Sequence, residues 1–225
     1  MRARPEYSAD VDWRLYFVTD TALSGGIDRV PAVVEEAIIG GVGVIQVRDK
    51  DLDDDDFARL TRDVMLAADR AFDVTGRRVD IFVNDRLDIA DHFGLHLHLG
   101  QSDGDIHRAR ARLGDDTLIG LSISNEAQLL AELADPTADA LGLSPIWATP
   151  TKTDTDPALG LDGARRLVDL TAGAAITLGI GGINADNARD VIATGVDGVC
   201  VVSAIAASPD PRAAASRLLS LWSPA

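Results

Sequence analysis

Eight short runs of aliphatic and β-branched residues alternate with eight stretches of helical periodicity, and this alternation constrains the fold more than any other feature of the chain. The runs are LYFV (15–18), VGVIQV (42–47), DIFV (80–83), LHLHL (95–99), LIGLSI (118–123), ALGL (140–143), ITLGI (176–180) and GVCVV (198–202). Helical spacing of apolar residues falls between them, roughly at 28–39, 54–73, 86–92, 105–112, 125–133, 162–171, 185–194 and 211–221. Strand–helix alternation implies a parallel sheet with right-handed crossovers. Eight repeats favour a single-domain α/β fold closed into a (β/α)8 TIM barrel; the runner-up is an open, doubly wound sheet. The 225 residues, 46% of them apolar, suffice for one such core. No domain linker stands out. Residues 1–12 read as an N-terminal extension. The run DLDDDD (51–56) reads as a helix start, because aspartate caps free N–H groups and suits the macrodipole.

Several classes of function are disfavoured. The net charge of −15 repels nucleic acid and anionic membranes, so neither is an expected partner. No apolar run is long enough to span a bilayer. The start MRARPEYSADVDWR has no apolar segment after its basic residues and does not read as a signal peptide. The lone Cys200 cannot form an internal disulfide and fits a reducing cytoplasm; within GVCVVSAI it reads as a small core residue. A homo-oligomer is compatible with the sequence, which carries no signal for one.

In a barrel, functional groups gather at the C-terminal ends of the strands. After the second strand, VIQVRDK presents Gln46, Arg48 and Lys50 at alternate positions, hence on one face. Asn84 and Asp85 follow the third strand, Gln101 and Asp103 the fourth, and Ser122 the fifth. Thr149, Thr151 and Lys152 follow the sixth, Gly181 and Gly182 the seventh, and Ser203 the eighth. Only two lysines occur in the chain, Lys50 and Lys152, and both fall at these ends. Arg and Lys supply positive charge for phosphate oxygens. Two Asp residues on adjacent strand ends could share one hard cation, and Mg²⁺ takes one or two carboxylates plus substrate phosphates. Gly-Gly lets backbone N–H groups approach a phosphate, though it also suits a simple turn. Asp85 fits a helix cap as well as a ligand. The four histidines, His92, His96, His98 and His107, show no zinc-site spacing and read as core residues or as residues behind the site. Neither a Rossmann fingerprint nor a P-loop is present. The long segment 144–162 reads as an active-site loop and is expected to close as a lid that carries Lys152.

The motifs VIQVRDK, VNDR, HLGQSD, GLSIS, LGLSPIWATPTKTD, GIGGIN and GVCVVSAI, in this order, resemble the thiamine-phosphate synthase family, also called thiamine-phosphate pyrophosphorylase. The resemblance runs from about residue 15 to 205. It implies a Mg²⁺-dependent barrel enzyme acting on small phosphorylated molecules. Such an enzyme joins 4-amino-2-methyl-5-(diphosphooxymethyl)pyrimidine to 4-methyl-5-(2-phosphooxyethyl)thiazole, releasing diphosphate and thiamine phosphate. It also implies residue roles. Gln46, Val47, Arg48, Asp49, Lys50, Asn84, Ser122 and Lys152 would hold the pyrimidine diphosphate, with Arg48, Lys50, Ser122 and Lys152 catalytic. Thr149, Pro150, Thr151, Gly182, Val202 and Ser203 would hold the thiazole phosphate, and Asp85 and Asp103 the metal. Where the family commonly has Ser-x-His after strand five, this chain has Ser122, Ile123, Ser124. The related thiazole tautomerases use a histidine there, and its absence argues against that alternative. The other competitors are an epimerase, which lacks a paired acid and base here, and a non-catalytic sensor of thiamine precursors or product.

Overall fold

The computed structural model describes residues 10–148 and 157–223. Strands β1 (Leu15–Val18), β2 (Val44–Val47), β3 (Asp80–Asn84), β4 (His96–Leu99), β5 (Ile119–Ile123), β6 (Ala140–Leu143), β7 (Ile176–Ile180) and β8 (Gly198–Val201) form a closed barrel in chain order. Every pairing is parallel, and β8 returns to β1 with Tyr16 opposite Cys200. The open doubly wound sheet is thereby excluded. Around the barrel lie α1 (Val30–Ile39), α2 (Asp54–Thr75), α3 (Leu87–Phe93), α4 (Ile106–Leu113), α5 (Glu126–Ala134), α6 (Gly160–Thr171), α7 (Ala188–Ile192), α8 (Ser203–Ala206) and α9 (Pro211–Ser220). A 3-10 turn at Ile27–Arg29 leads into α1. No helix among the described residues is long and apolar enough to cross a membrane.

Local chemistry explains the helix boundaries. Asp53 accepts the Asp56 N–H at 2.9 Å at the start of α2, and Asp54, Asp55 and Asp56 occupy its first turn. The acidic run is therefore a cap, and Gly76 in the left-handed region (φ 66) ends the helix. Asp105, Asn125 and Asp210 cap α4, α5 and α9 in the same way.

Two apolar layers hold the molecule. Side chains such as Phe17, Ile45, Val83, Leu97 and Val201 point outward and pack under the helices. Tyr16, Val18, Val44, Phe82, Leu118, Ala140, Ile176, Leu178 and Cys200 fill the barrel interior, as alternation along a doubly buried strand requires. Trp13 closes the floor beneath them, with its ring 5.9 Å from Phe82. The N-terminal extension expected through residue 12 is thus shorter at its inner end. Val11 packs on the interior cluster, and the Asp12 carbonyl lies against Gly43.

The four histidines separate. His96 belongs to the floor: its Nδ1 accepts the Leu118 N–H at 3.1 Å, which leaves Nε2 to donate to Asp80 at 3.2 Å. His98 enters the cleft described below. His92 and His107 are exposed on α3 and α4, not in the core, because they sit on helix faces turned from the barrel. No cluster of three or more His, Cys, Asp or Glu side chains suited to a metal occurs among the described residues.

Gly198 is needed where the floor segment crosses β8. A Cβ there would stand 1.9 Å from the Trp13 carbonyl oxygen, a backbone atom that cannot step aside. Gly198→Ala is expected to destabilise the fold by about 3 kcal/mol, read as a lowered urea midpoint at unchanged m-value; an unaltered midpoint would show that the floor is not packed as described.

Candidate active site

A cleft opens at the C-terminal ends of the strands and encloses about 1070 Å³, counting its solvent-filled mouth. Its two walls differ in chemistry. Strands β2 to β5 and the loops after them contribute Gln46, Arg48, Lys50, Asn84, His98, Asp103 and Ser122. The opposite side, from β7, β8 and β1, is Leu178, Ile180, Cys200, Val202, Tyr16 and Val18. An apolar wall facing a few convergent polar groups suits a flat organic ring with a charged tail.

The polar wall is built by strand alternation. Gln46 and Arg48 share the inward face of β2 and its extension, while Val47 packs outward under the helices. The Thr19 hydroxyl holds the Arg48 backbone, accepting its N–H at 2.9 Å and donating to its carbonyl at 3.3 Å. Among the described residues the Arg48 guanidinium has no hydrogen-bond or ion-pair partner, and it lines the cleft with its donors available to an anion. Asp49 turns away and accepts the Asp51 and Leu52 N–H groups, which tightens the β2–α2 loop. Val47 and Asp49 therefore do not line the cleft, although the resemblance placed both at the ligand.

Lys50 reaches back over the rim. Its Nζ lies 2.6 Å from Asp85 and 3.5 Å from Asp103. Asn84 Nδ2 also donates to Asp85, at 2.6 Å. Asp103 is anchored by the Gly100 N–H at 3.1 Å, and a Cβ on Gly100 would fall 2.3 Å from that same carboxylate. Burial pushes the Asp85 carboxyl above its ordinary value; Lys50 pulls it down, and the neighbouring Asp103 pushes it up again. For Lys50, burial opposes the charge, but the two carboxylates outweigh it and raise the ammonium above its ordinary value. Two carboxylates against one ammonium leave unbalanced negative charge, and every donor atom is a hard oxygen. The donor set fits a divalent cation such as Mg²⁺.

Asp85 is not the cap of α3. That helix begins after Arg86 without a side-chain cap, and the Asp85 side chain is turned to Lys50 instead. Its backbone sits in the left-handed region at φ 62, with its N–H donating to the His98 carbonyl at 2.9 Å. Asp tolerates that region better than most residues, and such strain concentrates at functional sites.

Deeper in the cleft, His98 Nε2 and Ser122 Oγ are 3.0 Å apart, and Gln101 donates to the Ser122 carbonyl at 2.7 Å. Gly120 makes room for the imidazole, since a Cβ there would meet His98 Nδ1 at 2.5 Å. His98 and Tyr16 both line the cleft, and neither figures among the expected site residues. The signal for His98 was present: it alternates with Leu97 and Leu99, which are buried under the helices. Cys200 also lines the cleft, where burial pushes its thiol far up and leaves it unreactive.

On the apolar side, Gly181 and Gly182 have φ of 108 and 68. A Cβ on Gly181 would press on Pro145, and one on Gly182 on Trp147. The pair is thus demanded by the turn and by close packing, and it still brings backbone to the cleft beside Val202 and Ser203. Thr149, Pro150, Thr151 and Lys152 lie outside the described residues.

Fold and cleft together define a closed (β/α)8 barrel whose rim gathers Arg48, Lys50, Asp85 and Asp103 at the C-terminal ends of the strands. Residues 15–205 match the family model described as thiamine monophosphate synthase. The chain is 38% identical over 211 residues to thiamine-phosphate synthase of Clostridium botulinum, covering 93% of this chain and 98% of that protein. It is 41% identical over 218 residues to the thiamine biosynthesis multifunctional protein ThiED of Corynebacterium efficiens, covering 94% of this chain but 29% of that protein. The chain thus spans less than a third of the length of its Corynebacterium relatives. The structure superposes on thiamine phosphate pyrophosphorylase from Pyrococcus furiosus with a TM-score of 0.80 and 28% identity, covering 95% and 96% of the two chains. The chain belongs to the thiamine monophosphate synthase family.

The left-handed backbone at Asp85 separates two replacements. Asp85→Asn keeps a residue at ease there and should hold stability within about 1 kcal/mol, whereas Asp85→Val should cost about 2 kcal/mol more. Equal urea midpoints for the two variants would contradict the strain.

Proposed function

We propose that this chain is a thiamine-phosphate synthase. It condenses 4-amino-2-methyl-5-(diphosphooxymethyl)pyrimidine with 4-methyl-5-(2-phosphooxyethyl)thiazole to give thiamine phosphate and diphosphate. The observation that carries the reading is the convergence of Arg48, unpaired among the described residues, the Lys50–Asp85–Asp103 cluster and Ser122 on one cleft, in a chain of this family.

In this reading the thiazole nitrogen donates its electron pair to the pyrimidine methylene carbon. The bond from that carbon to the diphosphate oxygen breaks, and the electron pair leaves with diphosphate. The amino group of the pyrimidine ring stabilises positive charge at the methylene, so departure can run ahead of attack. No protein nucleophile is needed. The task of the protein is to stabilise negative charge growing on the leaving group. Arg48 and Lys50 do so from the β2 end, with Asn84 and Ser122 as hydrogen-bonding groups beside them. Lys152 joins them on the ground of its motif, TPTKTD. Asp85 and Asp103 would hold the Mg²⁺, which supplies Lewis-acid neutralisation of the diphosphate when bound. Gly182, Val202, Ser203 and the segment Thr149, Pro150 and Thr151 take the thiazole phosphate. Holding the two rings in register contributes an orientation effect of up to roughly 7–11 kcal/mol. The cytoplasm, where a lone thiol stays reduced, is the compartment this reading implies.

Diphosphate release is expected only when both substrates and Mg²⁺ are present. Release from the pyrimidine substrate alone, or none with both, would overturn the proposal. A chelator should abolish turnover and added Mg²⁺ restore it. Lys152→Ala should lower kcat about 100-fold with an unchanged thermal midpoint; an undiminished kcat would remove Lys152 from the mechanism.

A further inference from the structure

In the function proposed above, Lys50 and Asp85 cannot stay partners. The ammonium is needed at the diphosphate and the carboxylate at the cation, so the ion pair that joins the β2–α2 loop to the end of β3 loosens when ligands arrive. Something else must then keep the loop in place. Arg48 is secured by Thr19, whose hydroxyl holds its backbone N–H and carbonyl. Lys50 stands two residues further along the loop. Asp49 tightens that loop from within, by accepting the Asp51 and Leu52 N–H groups, but this does not fix it to its neighbour.

Arg86 does. It follows Asp85 directly, yet its side chain is not among those lining the cleft. Its Nη2 donates to the Leu52 carbonyl at 2.5 Å and, more weakly, to the Asp49 carbonyl at 3.4 Å. These two carbonyls flank Lys50. Nη1 donates to the exposed Asp54 carboxylate in the first turn of α2. The guanidinium lies over the ring of the fully buried Phe57, 4.3 Å from its centroid, which fixes its plane. A guanidinium can only donate, through a rigid fork, so the sense of every one of these bonds is set by its chemistry. None of the four partners lines the cleft, so a ligand there does not compete for them. We propose that Arg86 is a positioning residue for Lys50: it clamps the backbone on either side of the lysine to the end of β3, and so keeps the ammonium within reach of the diphosphate once Asp85 has let it go. This rests on the function proposed above.

The test uses the full chain as wild type, Arg86→Met, Lys50→Ala and the double variant, at a temperature where circular dichroism shows all four folded. Met keeps an apolar stem against Phe57 and has no donor. Arg86→Met should lower kcat/KM for the pyrimidine diphosphate about tenfold. In the Lys50→Ala background the same replacement should lower it less than about twofold, because the loop then has no ammonium to place. The affinity for inorganic diphosphate with Mg²⁺, measured by calorimetry, should fall in the same pattern. A merely structural Arg86 would reduce the active fraction alike in both backgrounds and leave that affinity unmoved. Equal losses of kcat/KM in the two backgrounds, or an unchanged diphosphate affinity in Arg86→Met, overturn the inference while condensation by the wild type keeps the proposed function standing. Wild-type protein that releases no diphosphate from the two substrates overturns the function, and this inference with it. Should Arg86→Met fail to fold, Arg86→Lys, which keeps the charge without the planar fork, is read in the same two backgrounds by the same criterion. If that variant also fails to fold, Arg86 carries the fold and the inference is overturned.

Discussion

Closing eight parallel strands into a ring divides every side chain on them between two environments that cannot exchange. One set faces the helices and the other faces a common interior. Because the period along a strand is two residues, choosing the face of one residue chooses the face of all the others. Gln46 is inward, so Arg48 is inward and Val47 is not. The register carries this choice across neighbours, pairing Val18 with Gln46, Gln46 with Phe82, and Asn84 with His98. A layer of polar groups can therefore converge at one end while the layers beneath stay apolar. The floor built from Trp13, Phe82 and His96 gives that end something rigid to stand on.

Above this frame the rim is held by charge. Lys50 joins carboxylates that arrive from the ends of β3 and β4, so three loops are tied at one point. The pair contributes little to stability, since Lys50 is about half exposed and water screens it. Its value is positional. Asp85 is left only partly compensated, as its upward displacement by burial and by Asp103 shows, and Arg48 lines the same cleft without a partner among the described residues. A rim with uncommitted cations and an under-neutralised carboxylate pair is suited to a ligand that brings both polyanionic charge and a counter-cation.

Much of this was legible in the residues, and the failures have physical causes. The bounds of β1, β6 and β7 coincide with their aliphatic runs: Arg14 and Thr19 flank the first, Asp139 and Ser144 the second, and Gly181 ends the third. The run 42–47 is longer than β2: Val42 still donates back to Ala37 of α1, and Gly43, bonded to Leu15 and Asp80, only leads into the strand. The helix α8 has four residues, too few to show a period. Gln46, Arg48 and Lys50 could be read as one group because polar residues break an apolar strand at alternate positions. Val47 and Asp49 were drawn in with them by a contiguous motif, although alternation sends Val47 outward. Tyr16 was invisible for the opposite reason: in LYFV all four side chains are buried, and hydrophobicity does not distinguish interior from helix-facing positions. His98 was set behind the site, yet it shares its inward parity with Asn84 and Ser122.

The asymmetry of the cleft follows from where the barrel places small residues. Gly120 and Gly142 on β5 and β6 leave the volume that the His98 ring occupies, so the polar wall reaches into the interior there. Across the cleft, Leu178, Ile180 and Cys200 leave no polar atom capable of reaction, and burial keeps the thiol protonated. A cationic intermediate formed between these walls would face the side chains of Leu178 and Ile180 and a protonated Cys200 on the apolar side. On the other side the departing charge would meet Arg48, Lys50, Asn84 and Ser122, with the Asp85 and Asp103 carboxylates available for a counter-cation. Chemistry that separates charge needs that division of labour, with one wall to shape the ring and one to receive the negative charge.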